Sequence, residues 1–68
     1  MSKYFFDLHG LPESHRDKHG TELPDDNAAL AYAERVVREL KVAGGYNVPG
    51  LAMVVRDTNG KTILSVPF

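Results

Sequence analysis

The chain has no cysteine and no tryptophan, carries a net charge of only −1, and lacks any long apolar run. Without cysteine, disulfides and thiolate metal sites are excluded outright. Small domains usually offset a thin stability margin with a disulfide, a structural metal or self-association. What remains is a hydrophobic core, a dimer interface or a histidine–carboxylate metal site. The 8 basic and 9 acidic residues nearly cancel, whereas a domain that grips phosphate backbone shows a basic excess. Nucleic acid is therefore not the expected partner. The apolar stretch Tyr4-Phe5-Phe6 is interrupted by Asp7, too soon for a signal peptide. No stretch approaches the ~18 apolar residues of a membrane-spanning helix, so no membrane partner is expected. The missing cysteines and export signal point to the cytoplasm.

The 68 residues are expected to form one domain, 1–68. Such a chain buries only about 60% of the surface its unfolded form exposes. Residues 3–9 read as an aromatic-rich strand, with Tyr4, Phe6 and Leu8 on one face and Phe5, Asp7 and His9 on the other. Residues 16–20 carry turn chemistry, and Thr21-Glu22-Leu23 is a short return strand stopped by Pro24. Asp25 is the expected helix N-cap, with Asp26 adding negative charge to the first turn. Ala29, Ala33, Val36, Val37 and Leu40 recur at spacings of three and four, which predicts one buried stripe. Gly44-Gly45 is the expected C-terminal stop.

Two further strands, 51–57 and 61–68, flank Asp57-Thr58-Asn59-Gly60. That turn suits a type I geometry with a glycine bulge, which would set Val55 opposite Ile63 and Val54 opposite Leu64. The expected fold is α+β, ordered β-β-α-β-β, a small antiparallel-rich sheet with one helix on one face. Arg16-Asp17-x-x-Gly20 and Arg56-Asp57-x-x-Gly60 echo each other; the expectation is that two turns use the same chemistry.

Together, Tyr4-Phe5-Phe6-Asp7-Leu8-His9, Asp17-x-x-Gly20-Thr21-Glu22-Leu23-Pro24-Asp25, an alanine-rich helix, Val55-Arg56-Asp57-x-x-Gly60 and Pro67-Phe68 form one pattern. It resembles a domain-of-unknown-function family of short alphaproteobacterial proteins. The resemblance implies a stand-alone bacterial domain and supplies no activity, cofactor or site residue. Lys18-His19 departs from the acidic pair expected at that turn. The aromatic first strand and capped helix are also similar, at the level of fold, to small antitoxin domains.

His9, His15 and His19 lie among Asp7, Glu13 and Asp17, and imidazole with carboxylate can bind zinc, nickel or copper. Gly10, Pro12 and Gly20 bracket too short a segment for a helix to align them, so solvated loop histidines are the expectation. Ser14, His15 and Asp17 are neighbours in sequence, but a triad is defined by geometry in space. No enzyme, catalytic residue or cofactor is assigned. Arg35, Arg38 and Lys41 could form a basic ridge, interrupted by Glu34 and Glu39.

Apolar residues on both faces of the sheet favour self-association. Leu51, Met53, Val55 and Ile63 would share one side of the second hairpin, with Val54, Leu64 and Val66 on the other. One helix covers one face, so a second copy is the economical cover, with Phe5, Tyr46 and Met53 at the interface. The expected function is a non-enzymatic, homodimeric interaction module that pairs by a sheet face or an edge strand, with an unidentified protein as the other partner such a surface would serve. The alternatives are an antitoxin-like regulatory or nucleic-acid-associated domain, and a histidine-loop metal binder.

Overall fold

Side-chain alternation along the first strand decides which side of the sheet meets the helix. In the computed structural model, which describes residues 1–10, 14–43 and 50–68, the elements are β1 (Ser2–His9), β2 (Thr21–Leu23), α1 (Asp26–Ala43), β3 (Ala52–Arg56) and β4 (Thr62–Pro67). The strands form one antiparallel sheet in the order β2-β1-β3-β4. This is the α+β, β-β-α-β-β fold expected from the sequence. Expected interface residue Tyr46 and the stop at Gly44-Gly45 lie outside the described residues.

Helix α1 packs against β2, β3 and β4. Its Ala29, Ala33 and Val37, one turn apart, are buried with Tyr4, Met53 and Val55 to form the core. The two alanines let the helix approach closely, so that Val55 loses all exposure, a burial worth about 2 kcal/mol. Phe6 meets Tyr32 with ring centroids 4.7 Å apart and planes at 46°, a favourable tilted geometry.

The helix start is fixed twice. Asp25 Oδ1 accepts the Ala28 amide at 2.8 Å, the N-cap bond expected of it. The Tyr4 hydroxyl donates to Asp26 Oδ1 at 2.7 Å, which ties the first turn to the sheet. That bond, with burial and the charges of Asp26 and Asp25, raises the Tyr4 pKa and keeps the hydroxyl a donor.

The β3–β4 turn is built as expected. The Gly60 amide donates to the Asp57 carbonyl, the Asp57 amide to the Lys61 carbonyl, and Gly60 has φ +81°. Asp57 Oδ1 accepts the Asn59 and Lys61 amides, both at 2.9 Å. The register beyond it corrects the expectation. Arg56 pairs with Thr62, but a second irregularity follows, so that Val55 faces Leu64 and Val54 faces Ser65. One extra residue moves each later side chain to the opposite face. Leu64 and Val66 thus pack against the core beside Val55 and Met53, and not on the open face. The open face is correspondingly less apolar than the sequence pattern suggested.

Gly20 and Gly60 both need left-handed backbone, at φ +73° and +81°. A Cβ on Gly20 would also lie 2.9 Å from Lys3 Cγ and 3.0 Å from Phe5 Cε1, whereas Gly60 faces open space. Gly60→Ala is expected to cost about 1 kcal/mol from backbone strain alone. Gly20→Ala should cost at least about 1 kcal/mol more, because Phe5 and Lys3 must shift. Thermal melts followed by circular dichroism compare them, and equal losses would refute the close packing at Gly20.

Candidate functional site

The most distinctive local chemistry is a polar network on the face of the sheet that the helix leaves open. Alternation along β1 puts Asp7 there, and register puts it opposite Val54 in the centre of the sheet. Asp7 is nevertheless only 2% exposed. Arg56, across and one step along on β3, covers it: Nε donates to Asp7 Oδ2 and Nη2 to Oδ1 at 3.2 Å. The guanidinium also lies 5.1 Å from the Phe5 ring centroid, a cation–π distance.

Asp17 completes the network from the edge of the sheet. β2 pairs with β1 only over Ser2–Tyr4, and the chain touches β1 again where Leu8 and His15 exchange backbone hydrogen bonds of 2.8 and 2.9 Å. Between these points the Phe6 amide faces the edge with no opposing carbonyl in the ladder. Asp17 Oδ2 accepts it at 3.2 Å, so a side chain takes the place of a strand. Asp17 Oδ1 accepts the His19 and Gly20 amides, both at 3.0 Å. The Asp17 amide donates to Asp7 Oδ1 at 2.9 Å, and its carbonyl lies 3.5 Å from Arg56 Nη2. Asp17 and Asp57 each accept the amide two residues on, but the Gly60 amide goes to the Asp57 carbonyl and the Gly20 amide to the Asp17 side chain, so the echoed motif forms two different turns. Asp17 gives its second oxygen to the sheet.

The electrostatics follow. Burial alone would raise the Asp7 carboxyl. The hydrogen bonds from Arg56 and the Asp17 amide, with the charges of Arg56 and Arg16, outweigh it and hold the group below its ordinary range. Burial and the Asp7 charge likewise push Asp17 up, but the Gly20, Phe6 and His19 amides win and lower it. Arg56 is raised, chiefly by its bond to Asp7. All three groups are locked in their charged forms.

Of the candidate residues named from sequence, Met53 is 3% exposed beneath the helix and has no surface to offer a partner. Phe5 is half-buried, flanked by Arg56 and Gly20. His9, His15 and His19 are exposed. Among the described residues, no three His, Cys, Asp or Glu side chains gather as a metal set. On the helix, Arg35 stacks 5.5 Å from the Tyr32 centroid and pairs with Glu39 at 3.5 Å. Among the described residues, no helix is long and apolar enough to cross a membrane. Sequence reasoning did not single out Asp7, Asp17 and Arg56 as a group. The available signals were a lone carboxylate inside an aromatic strand and the repeated Arg-Asp-x-x-Gly.

These features define a small α+β domain whose open sheet face is closed by a carboxylate–guanidinium latch. Residues 3–68 match the family described as Domain of unknown function (DUF6894), and the chain belongs to it. No curated protein and no solved structure matches the chain.

Removing the Asp7 carboxylate strands Arg56 and the Asp17 amide together. Asp7→Ala is therefore expected to cost about 3 kcal/mol, as for a buried pair broken on one side. Breaking the exposed Arg35–Glu39 pair by Arg35→Ala should cost under about 0.5 kcal/mol. Urea titrations separate the two, and a small loss at Asp7 would show that the latch is not structural. Because both aspartates have depressed folded pKa values, their contribution is whole above about pH 4, the ordinary carboxylate value, and is lost as pH falls through the folded values. Stability should hold from neutral pH to about 5 and fall steeply below about 4, with a shallower acid limb in Asp7→Asn.

Proposed function

We propose that this domain is a non-enzymatic interaction module that pairs with a second copy of itself along the outer edge of β4. The observation that carries the reading is the position of β4 as the outermost strand, with no described strand beyond it. The Phe68 amide donates to the Leu51 carbonyl at 3.0 Å. Antiparallel alternation from that bond turns the backbone groups of Ser65 and Pro67 away from β3. Such an edge is a template for another strand. Ile63, Leu64 and Val66 beside it are half-buried and would lose further exposure on pairing.

The edge is short by construction. Pro67 has no N–H to offer, and the irregularity at Val55/Arg56 bends the other end. Pairing is confined to a few residues around Ser65, and a two-fold axis there closes the assembly at two copies. The sheet face is the weaker candidate, because Met53 is in the core and the latch covers Phe5. The latch also weighs against catalysis: general acid–base work needs a pKa near the operating pH, and these three groups are driven away from it. A bacterial setting, implied by the family resemblance, and the cytoplasmic one expected from the missing cysteines belong to the same reading.

Ser65→Pro removes the one central outward N–H without touching the ladder to β3. Native mass spectrometry should find a dimer for the parent chain and a monomer for Ser65→Pro, with unchanged circular dichroism. A monomeric parent chain, or a dimeric Ser65→Pro variant, would overturn the proposal.

A further inference from the structure

The asparagines of the chain are Asn27, Asn47 and Asn59, and only Asn59 is followed by glycine. An asparagine loses its side-chain amide when the backbone nitrogen of the next residue attacks the side-chain carbonyl carbon. A side chain on that next residue hinders the approach, and Gly60 has none. Asn59 and Gly60 are both exposed at the tip of the β3–β4 turn. Beyond the chain neighbours of Gly60, no atom lies within 4 Å of the place its Cβ would take, so the nitrogen is approached through open space.

What restrains that nitrogen is local. The Gly60 amide donates to the Asp57 carbonyl at 3.1 Å, and the Asn59 amide to Asp57 Oδ1 at 2.9 Å. Both bonds close within one exposed turn, which opens at far lower free energy than the whole domain. Asn27 is exposed too, but it sits in the first turn of α1. There Asp25 Oδ1 holds the Ala28 amide at 2.8 Å, and the bond from Tyr4 to Asp26 ties the same turn to the sheet. Attack by the Ala28 nitrogen needs that helix start to unwind. Asn47 precedes the branched Val48 and lies outside the described residues.

We propose that Asn59 is a site of spontaneous deamidation. A bond forms between the Gly60 nitrogen and Asn59 Cγ, and the side-chain nitrogen leaves as ammonia with the Gly60 amide proton. Water then opens the resulting succinimide at either carbonyl, giving aspartate or isoaspartate, and nothing is oxidised or reduced. Either product makes the chain one unit more negative than its net charge of −1. The new carboxylate stands beside Asp57 and repels it. Isoaspartate also adds a methylene to the backbone between the Asn59 and Lys61 amides, both now held by Asp57 Oδ1 at 2.9 Å. One oxygen can no longer serve the pair, so the modification loosens the hairpin. The inference does not rest on the pairing of β4.

The test is incubation of the folded chain at mildly alkaline pH beside the same chain in urea, followed by tryptic mapping in a mass spectrometer. Cleavage after Arg56 and Lys61 isolates residues 57–61. That peptide should exchange amide for hydroxyl and yield isoaspartate before the peptides holding Asn27 and Asn47 change. Its rate in the folded chain should be at least about a tenth of the rate in urea, a local opening of no more than about 1.4 kcal/mol. In urea, where the turn is absent, Gly60→Ala should slow the conversion through its methyl group alone. A folded chain whose 57–61 peptide stays intact while the urea sample converts would overturn the site, as would conversion of Asn27 ahead of Asn59.

Discussion

A carboxylate buried at the centre of the sheet face opposite α1 is the constraint from which most of this structure follows. Asp7 could not remain there alone, since an unpaired buried charge is too costly. It is tolerated because Arg56 reaches it with two donors and the Asp17 amide supplies a third. Each partner brings something further. Arg56 lays its guanidinium over Phe5, and Asp17 caps the orphan amide of Phe6 while turning the chain into β2. A chain of 68 residues has little apolar core. Here a second, polar centre fastens the face opposite the helix.

The network also separates perturbed electrostatics from catalytic electrostatics. Strongly shifted groups often mark active sites, but structural ion-pair networks shift pKa values too. The direction of the shifts bears on one role: a general acid or base works with a pKa near the operating pH, and these aspartates and this arginine are shifted away from it. The energy of the interaction goes into holding Asp17, Gly20 and Phe5 in one arrangement.

The sequence was most legible where a local rule acted without competition. Asp25 as a cap, the alanine stripe of the helix, and Asp57-x-x-Gly60 as a turn each depend on a few adjacent residues, and the order of elements follows from them. The register of β4 was not legible, because the irregularity after Val55 is set by how Leu64 and Val66 reach the core under the helix. Alternation alone put them on the wrong face, and with them went the case for a broad apolar surface. Met53 was misread for the same reason: its strand was identified, but the side the helix covers is a tertiary fact. The latch was hidden differently. Asp7 and Arg56 are 49 residues apart, and their meeting depends on β1 lying beside β3, which no local pattern specifies.

The two outer edges of the sheet are treated differently, and the difference bears on function. Beside β1 the backbone is satisfied piecemeal, by a three-residue strand, a carboxylate and one isolated bridge. Its outermost strand, β2, is three residues long and offers a partner strand little length, and charged side chains gather around a cavity beside it. At β4 the reverse holds. The backbone of Ser65 faces outward among apolar side chains, bounded by a proline and a bend, and the described strands leave it uncovered. A protein that needed only to stay monomeric would gain from charge or a second proline near Ser65. The limits at both ends of β4, without closure at its middle, are what a short and self-limiting pairing requires. The two edges thus differ in kind: side chains close much of one, and the backbone of Ser65 stays open on the other, as the proposed pairing requires.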